Sequence, residues 1–173
     1  MAASIDAGPL IWLAKYGILH LLKNYYPEIV IPEAVYNETV TRGLEKKHSD
    51  AQIIKEAVEE KWIKVHTPSL ESTHRVKTAE KQCGLELGAG EREAIALAIE
   101  NKMAFLTDDE DAHRLGKALG LEPRGTLYIL LRSATDGRLD KTQEKEKLGV
   151  MLENGFWLSP MIIQSFHEAL DRI

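Results

Sequence analysis

The sequence holds a single cysteine, Cys83, in 173 residues. One thiol excludes an internal disulfide framework and any zinc site built from several cysteines, and Cys83 is expected to be a small buried or half-buried residue. The six histidines, His20, His48, His66, His74, His113 and His167, show no zinc-ligand spacing. There is no basic excess either. Lys and Arg total 22 against 27 Asp and Glu, a formal net charge of −5. That argues against non-specific binding to duplex DNA, but not against a nuclease whose acids hold metal ions, and it would also suit a basic partner protein. Every apolar run is broken by charge within about a dozen residues, too short for a membrane-spanning helix. The opening MAASIDAG has no basic region and no apolar signal core, so a cytoplasmic protein with no membrane association is expected. A Walker A sequence is missing. Gly88-Ala89-Gly90 lacks the third glycine and the preceding strand of a dinucleotide fingerprint. Asp6-Ala7-Gly8 lacks the second Asp of an aspartyl-phosphate hydrolase, and Asp108-Asp109 comes too late in the chain for a receiver domain.

What remains is an ordinary globular mixture, 44% apolar and 28% charged. The length suits one domain, 1–173, with helices at 141–173 as an extension of it. Ala3–Ile5 is a short apolar opening, and Pro9 fits the first turn of a helix with an apolar stripe from Leu10 to Leu22. Ile29–Ile31 is a buried strand that Pro32 ends, opening a helix from Glu33 to Thr41. Residues 42–50 read as a polar loop, and Ser49 or Asp50 as the cap of a helix through Glu60. Trp62–Val65 is a candidate strand and Glu71–Gln82 a candidate helix. A Gly-rich turn leads into an Ala-rich helix, 91–101. Met103–Thr107 is a buried strand, followed by a helix from Glu110 to Leu119 that Gly120 stops, and by a short strand near Leu121–Pro123. Helices then span 126–135, 141–153 and the stretch after Pro160. Strands separated by helices imply right-handed βαβ units and a mainly parallel sheet of four to five strands, covered on both faces.

Open parallel sheets bind ligands outside the carboxyl ends of their strands. Asp6 follows the first strand, and Asp108 and Asp109 follow the Met103–Thr107 strand. Glu38 lies on the helix after Ile29–Ile31, and Glu91 opens the Ala-rich helix. Each has a structural reading as well. Asp6 and Asp109 suit helix N-caps, Glu91 and Glu93 sit where acids favour the helix dipole, and Glu38 suits a wet helix face. Together they would repel strongly unless a cation sat among them. Hard divalent ions, Mg²⁺ or Mn²⁺, are the natural occupants of an all-carboxylate site.

These segments resemble the PIN-domain family, the fold of the VapC-type toxin ribonucleases, over most of the chain from Asp6 to about Leu131. The family's first motif is matched by Asp6-Ala7-Gly8-Pro9-Leu10-Ile11 and its second by Ile31-Pro32-Glu33-Ala34-Val35-Tyr36-Asn37-Glu38. The third is matched by Gly90-Glu91-Arg92-Glu93-Ala94-Ile95-Ala96-Leu97-Ala98, and the fourth by Phe105-Leu106-Thr107-Asp108-Asp109. The alignment favours Glu91 over Glu93 as the third acid, and Gly125-Thr126-Leu127 also looks like a VapC-like branch of the family, to which the resemblance is strongest. Two departures stand out: Glu91 where the wider family commonly has Asp, and Gly8 where a Ser or Thr hydroxyl is usual.

The resemblance implies a three-layer α/β/α PIN-like fold and metal-dependent hydrolysis of RNA phosphodiester bonds. Asp6, Glu91 and Asp109 would be the metal ligands. Glu38 would complete the catalytic set by binding a second ion or orienting the attacking water, and Thr107 and Asp108 would support the ligands. Arg42, Lys46, Lys47 and Arg114 are candidates to meet the RNA, which would be single-stranded or structured. Tyr25 and Tyr26 suit base stacking or core packing. Family members are usually homodimers, and a small antitoxin would cover the site; apolar residues of the first and last helices, Trp12 and Trp157 among them, suit a dimer interface or core packing. Two rival readings are a catalytically weak PIN-like domain that binds nucleic acid or a partner, and a nucleotide-binding α/β domain that uses its acids for Mg²⁺.

Overall fold

A computed structural model describes residues 1–173. The chain divides into two compact units, Met1–Gly125 and Thr126–Ile173.

The first unit is built on a four-stranded, wholly parallel sheet of β1 (Ala3–Ile5), β2 (Ile29–Pro32), β3 (Ile63–His66) and β4 (Ala104–Leu106), in the order β3-β2-β1-β4. Helices flank it in a three-layer α/β/α arrangement. β1 and β2 are buried along their whole length, as expected of parallel strands covered on both faces. β3 is an edge strand. Ile63 is buried while Lys64, Val65 and His66 are exposed, and charge at an edge discourages pairing with other chains. The expected fifth strand near Leu121–Pro123 is reduced to one parallel bridge, Leu106 with Arg124.

Helix α1 (Ala7–Lys15) starts two residues before Pro9, because Asp6 is its N-cap. The expected run to Leu22 breaks at Gly17, where φ is +73°, a value glycine adopts without penalty. A 3₁₀ turn (Leu19–Leu21) and a short α2 (Leu22–Tyr25) complete that segment. After β2 come α3 (Glu33–Tyr36), a π turn (Asn37–Thr41) and α4 (Arg42–Glu45), so residues expected to be a loop continue the helix. α4 packs so closely on α5 (Ser49–Glu59) that a Cβ on Gly43 would lie 2.6 Å from Ala51 Cβ. His48 caps α5 without a side-chain bond, and Ser49 and Asp50 are already inside the helix. The remaining helices of this unit are α6 (Leu70–Cys83), α7 (Ala89–Glu100) and α8 (Glu110–Ala118). Their apolar faces meet around Phe105 with Val76, Ile95, Ala112 and Leu115, all fully buried. Cys83, at the end of α6, is exposed rather than buried.

The second unit is three helices packed on one another, α9 (Thr126–Thr135), α10 (Lys141–Glu153) and α11 (Pro160–Arg172). A capping box of Asp140 and Gln143 opens α10, and Ser159 caps α11 with Pro160 in its first turn. Leu130, Leu148, Met151, Phe156, Phe166 and Leu170 are buried, while Trp157 and Met161 are 81% and 75% exposed. Among the buried groups is an acid, Glu144, bonded to the Ser133 hydroxyl, which also lies 2.8 Å from the Leu130 carbonyl. Burial pushes the Glu144 carboxyl up to about 7.

Candidate active site

The register of β1 on β4 places the first two residues of the site. Ile5 pairs with Leu106, and Asp6 N–H donates to the Leu106 carbonyl at 3.1 Å. The next residues along, Asp6 and Thr107, therefore stand side by side beyond the carboxyl ends of the strands. Sheet order reverses here, since the chain leaves β1 towards β2 on one side and β4 lies on the other. Such switch points are where open α/β sheets form crevices.

Asp6 Oδ1 accepts from Gly8 N–H at 3.1 Å, and its Oδ2 accepts from the Thr107 hydroxyl. The same hydroxyl accepts from Asp109 N–H at 3.0 Å. Asp109 in turn caps α8, its Oδ1 accepting from Ala112 N–H at 2.8 Å. Both aspartates thus cap helices and face the crevice at once.

Two further acids arrive from the other wall. The Ser4 hydroxyl donates to the Ala94 carbonyl at 2.8 Å, tying α7 to β1. Glu91, in the first turn of α7, reaches back to accept from Gly88 N–H. Gly90 lies against α3: a Cβ there would sit 3.0 Å from Val35 Cγ2 and 3.6 Å from Glu38 Oε2. Glu38 belongs to the π turn, whose wider coil is closed by Arg42 N–H donating to the Asn37 carbonyl, five residues back. In an α-helix residues five apart point about 140° apart. The wider turn brings Asn37, Glu38 and Arg42 to one wall, and such π bulges recur at functional sites.

The resulting pocket has a volume of about 510 Å³, and Asp6, Glu38, Glu91 and Asp109 all line it, together with Asn37 and Arg42. Its acids oppose one another. Burial raises the Asp6 carboxyl well above the usual range, and the charges of Asp108 and Glu91 push the same way, against the Thr107 and Gly8 hydrogen bonds. Burial also raises Glu91, with Asp109 and Glu38 adding to it, against the Gly88 hydrogen bond. No three acid, imidazole or thiol groups are drawn close enough to form a ready-made metal cage. The donors suit a hard divalent cation in kind, being all carboxylate oxygens.

Other expected residues lie elsewhere. Asp108 sits beside the pocket rather than in its lining, packed between Gly8 and Gly125; a Cβ on Gly125 would be 2.6 Å from Asp108 Oδ1. Lys46, Lys47 and Arg114 are exposed and outside the lining, and Arg114 pairs with Asp111 at 3.4 Å. Glu93, two residues past Glu91, is also outside it. Tyr26 is buried in the core. Asn37 carries no signal in the sequence, because the π turn is what puts it on one wall with Glu38 and Arg42.

The fold and pocket define an α/β protein that gathers carboxylates at the carboxyl edge of a parallel sheet. The chain belongs to the PIN-domain family DUF3368, whose profile matches residues 3–172. Three solved structures are similar in fold. One is VapBC2 from Rickettsia felis, solved with a DNA fragment from its promoter, at 16% identity and a TM-score of 0.55, covering 72% of this chain and 98% of that one. The second is VapBC-1 from nontypeable Haemophilus influenzae, at 13% identity and a TM-score of 0.55, covering 73% and 98%. The third is PAE2754 from Pyrobaculum aerophilum, at 15% identity and a TM-score of 0.54, covering 78% and 99%. A search of curated proteins finds no match. No helix of the chain is long and apolar enough to cross a membrane.

Proposed function

We propose that this chain is a metal-dependent endoribonuclease, the VapC-like toxin of a toxin–antitoxin pair, hydrolysing RNA phosphodiester bonds to leave a 5′-phosphate. The observation that carries this reading is the convergence of Asp6, Glu38, Glu91 and Asp109, from four separate segments, on one pocket at the switch point of the sheet. Membership of a PIN-domain family supports it.

A bound Mg²⁺ or Mn²⁺ would supply a water of lowered pKa and positive charge against the phosphoryl transition state. Asp6, Asp109 and Glu91 are the residues to hold it. Thr107 keeps the Asp6 carboxylate turned into the pocket, and it sets the backbone from which Asp109 extends. Glu38, on the opposite wall, orients the attacking water or holds a second ion. Arg42 supplies positive charge beside the acids, where an incoming phosphate needs it. No histidine lines the pocket, so no imidazole is placed to act as the base. A single strand reaches such a crevice more readily than a duplex. A cytoplasmic address, an antitoxin that covers the pocket and a second copy of the chain as dimer partner complete the proposal.

The test is cleavage of a mixed pool of single-stranded and structured RNAs with Mn²⁺ or EDTA, beside Asp6→Asn and Asp109→Asn. Asn caps a helix as well as Asp does, so both variants should fold. The expected result is cleavage by the wild type alone, and only with metal. Full activity in both variants overturns the site. The open spacing of the acids and Gly8 favour a second reading, a PIN-like domain that binds without cleaving. Its signature is Mn²⁺ binding that is lost in Asp109→Asn while RNA stays intact.

A further inference from the structure

The bend that delivers Glu91 to the pocket is wound around a partly buried ion pair. α6 ends at Cys83, Gly84 turns the chain with φ +64°, and α7 begins at Ala89. Inside this bend lies Glu80, 5% exposed. Its Oε1 accepts from Leu87 N–H at 2.8 Å and from Arg92 Nη2 at 3.0 Å, and its Oε2 accepts from Arg92 Nε at 2.7 Å. Arg92 Nη2 also donates to the Leu87 carbonyl at 2.8 Å, and the Glu80 carbonyl accepts from Leu85 N–H at 3.0 Å. Leu87 is thus held by both its N–H and its carbonyl. The next residue, Gly88, is the one whose N–H the Glu91 carboxylate accepts. The residue after Glu91 is Arg92 itself, so the pair grips the chain on both sides of the Glu91 tether.

Buried ion pairs are poor sources of stability, and apolar replacements of similar size are often neutral or better. A chain that needed only to turn here has that cheaper option. What a bidentate arginine–carboxylate pair adds is fixed geometry. We propose that Glu80 and Arg92 are positioning residues of the pocket: by clamping Leu87 they hold Gly88, and through it the Glu91 carboxylate, in place. The proposal rests on the metal-dependent reading given above for the function of the clamp, but not for its existence.

The decisive variant is the double substitution Glu80→Met with Arg92→Met, which removes both charges without orphaning either. Three quantities are read: the melting temperature, the exchange rate of the Gly88 amide, and Mn²⁺ affinity by calorimetry. The clamp predicts a folded protein with a lowered melting temperature, since the Leu87 N–H and carbonyl lose their partners, faster exchange at Gly88, and Mn²⁺ affinity lower by about tenfold or more, as for other residues that orient ligands. Arg92→Lys keeps the charge but loses the fork, and should show the same changes at smaller size. It also serves as the test if the double variant fails to fold. Wild-type Gly88 protection together with wild-type Mn²⁺ affinity in a folded variant overturns the proposal. If the wild type itself binds no Mn²⁺, the metal reading falls, and the Gly88 exchange still decides for or against the clamp.

Discussion

The Thr107 hydroxyl donates to the Asp6 carboxylate across 101 residues of chain, and the two meet because β1 and β4 are neighbours in register. The same oxygen accepts from Asp109 N–H. One hydroxyl therefore sets the position of two of the four acids.

Thr107→Val keeps the shape and removes that hydroxyl, leaving the Asp6 carboxylate and the Asp109 N–H without it. Stability should fall by about 1–3 kcal/mol, the usual effect of a buried polar group that loses its partner. Metal-dependent cleavage should fall by about 10- to 100-fold. Thr107→Ser should restore most of both. Urea denaturation and cleavage rates against Mn²⁺ concentration are the measurements, and unchanged cleavage in the valine variant would remove Thr107 from the site.

Two glycines beside Asp108 should respond in opposite ways. A Cβ on Gly8 makes only ordinary contacts, 3.6 Å from Asp108 Cβ and from Asp6 Oδ1. Gly8→Ser should fold within about 0.5 kcal/mol of the wild type. Its hydroxyl, placed near Asp6, should lower that raised carboxyl and increase cleavage at mildly acidic pH. A Cβ on Gly125 meets Asp108 Oδ1 at 2.6 Å and the Thr107 carbonyl at 2.9 Å. Gly125→Ala must displace the Thr107–Asp108 turn, with a stability loss of about 1–3 kcal/mol and a loss of cleavage. Thermal melts and RNA cleavage at pH 6 and pH 8 check both.

The strands and their acids were legible because each is a short apolar run followed at once by Asp or Glu. That pattern is local and survives reading in one dimension. The wholly parallel order follows from strands separated by helices, but the fifth strand does not, since Leu121–Pro123 satisfies only one bridge beside it. The π turn was not legible. A single extra residue per turn leaves no mark in composition, so residues 42–50 read as a loop and nothing marks Asn37 as a pocket residue. Glu80 and Arg92 escaped for a different reason. They are twelve residues apart on two helices, and only the bend between α6 and α7 brings them together. Lys46, Lys47 and Arg114 look as basic as Arg42 in sequence, but only Arg42 follows the π turn into the pocket lining.

Glu144, in the second unit, should make stability depend on pH. Its folded pKa, raised to about 7 by burial, lies above its ordinary value. The protonated acid can donate to Ser133, whose own hydroxyl is then free to donate to the Leu130 carbonyl. Raised folded affinity for the proton means stability is fully present at low pH, falls as pH rises from the ordinary carboxylate range to about 7, and levels off above that. Glu144→Gln keeps a donor towards Ser133 without a titrating charge. It should flatten this slope and stabilise the protein at pH 8 by up to about 3 kcal/mol. Urea midpoints at pH 5 and pH 8 measure the difference, and parallel losses in both proteins would exclude Glu144 as the source.

The pairing of Asp6 with Thr107 also governs when the pocket can exist. Chains are made and begin to fold from the N-terminus. β1 emerges first, yet one of its two neighbours in the sheet is the last strand made. A nascent chain that ends short of β4 has Asp6, Glu38 and even Glu91, but neither Thr107 nor Asp109, and so no crevice between β1 and β4. If the pocket cuts RNA, a nascent chain that ends short of β4 lacks the full set of acids to do so.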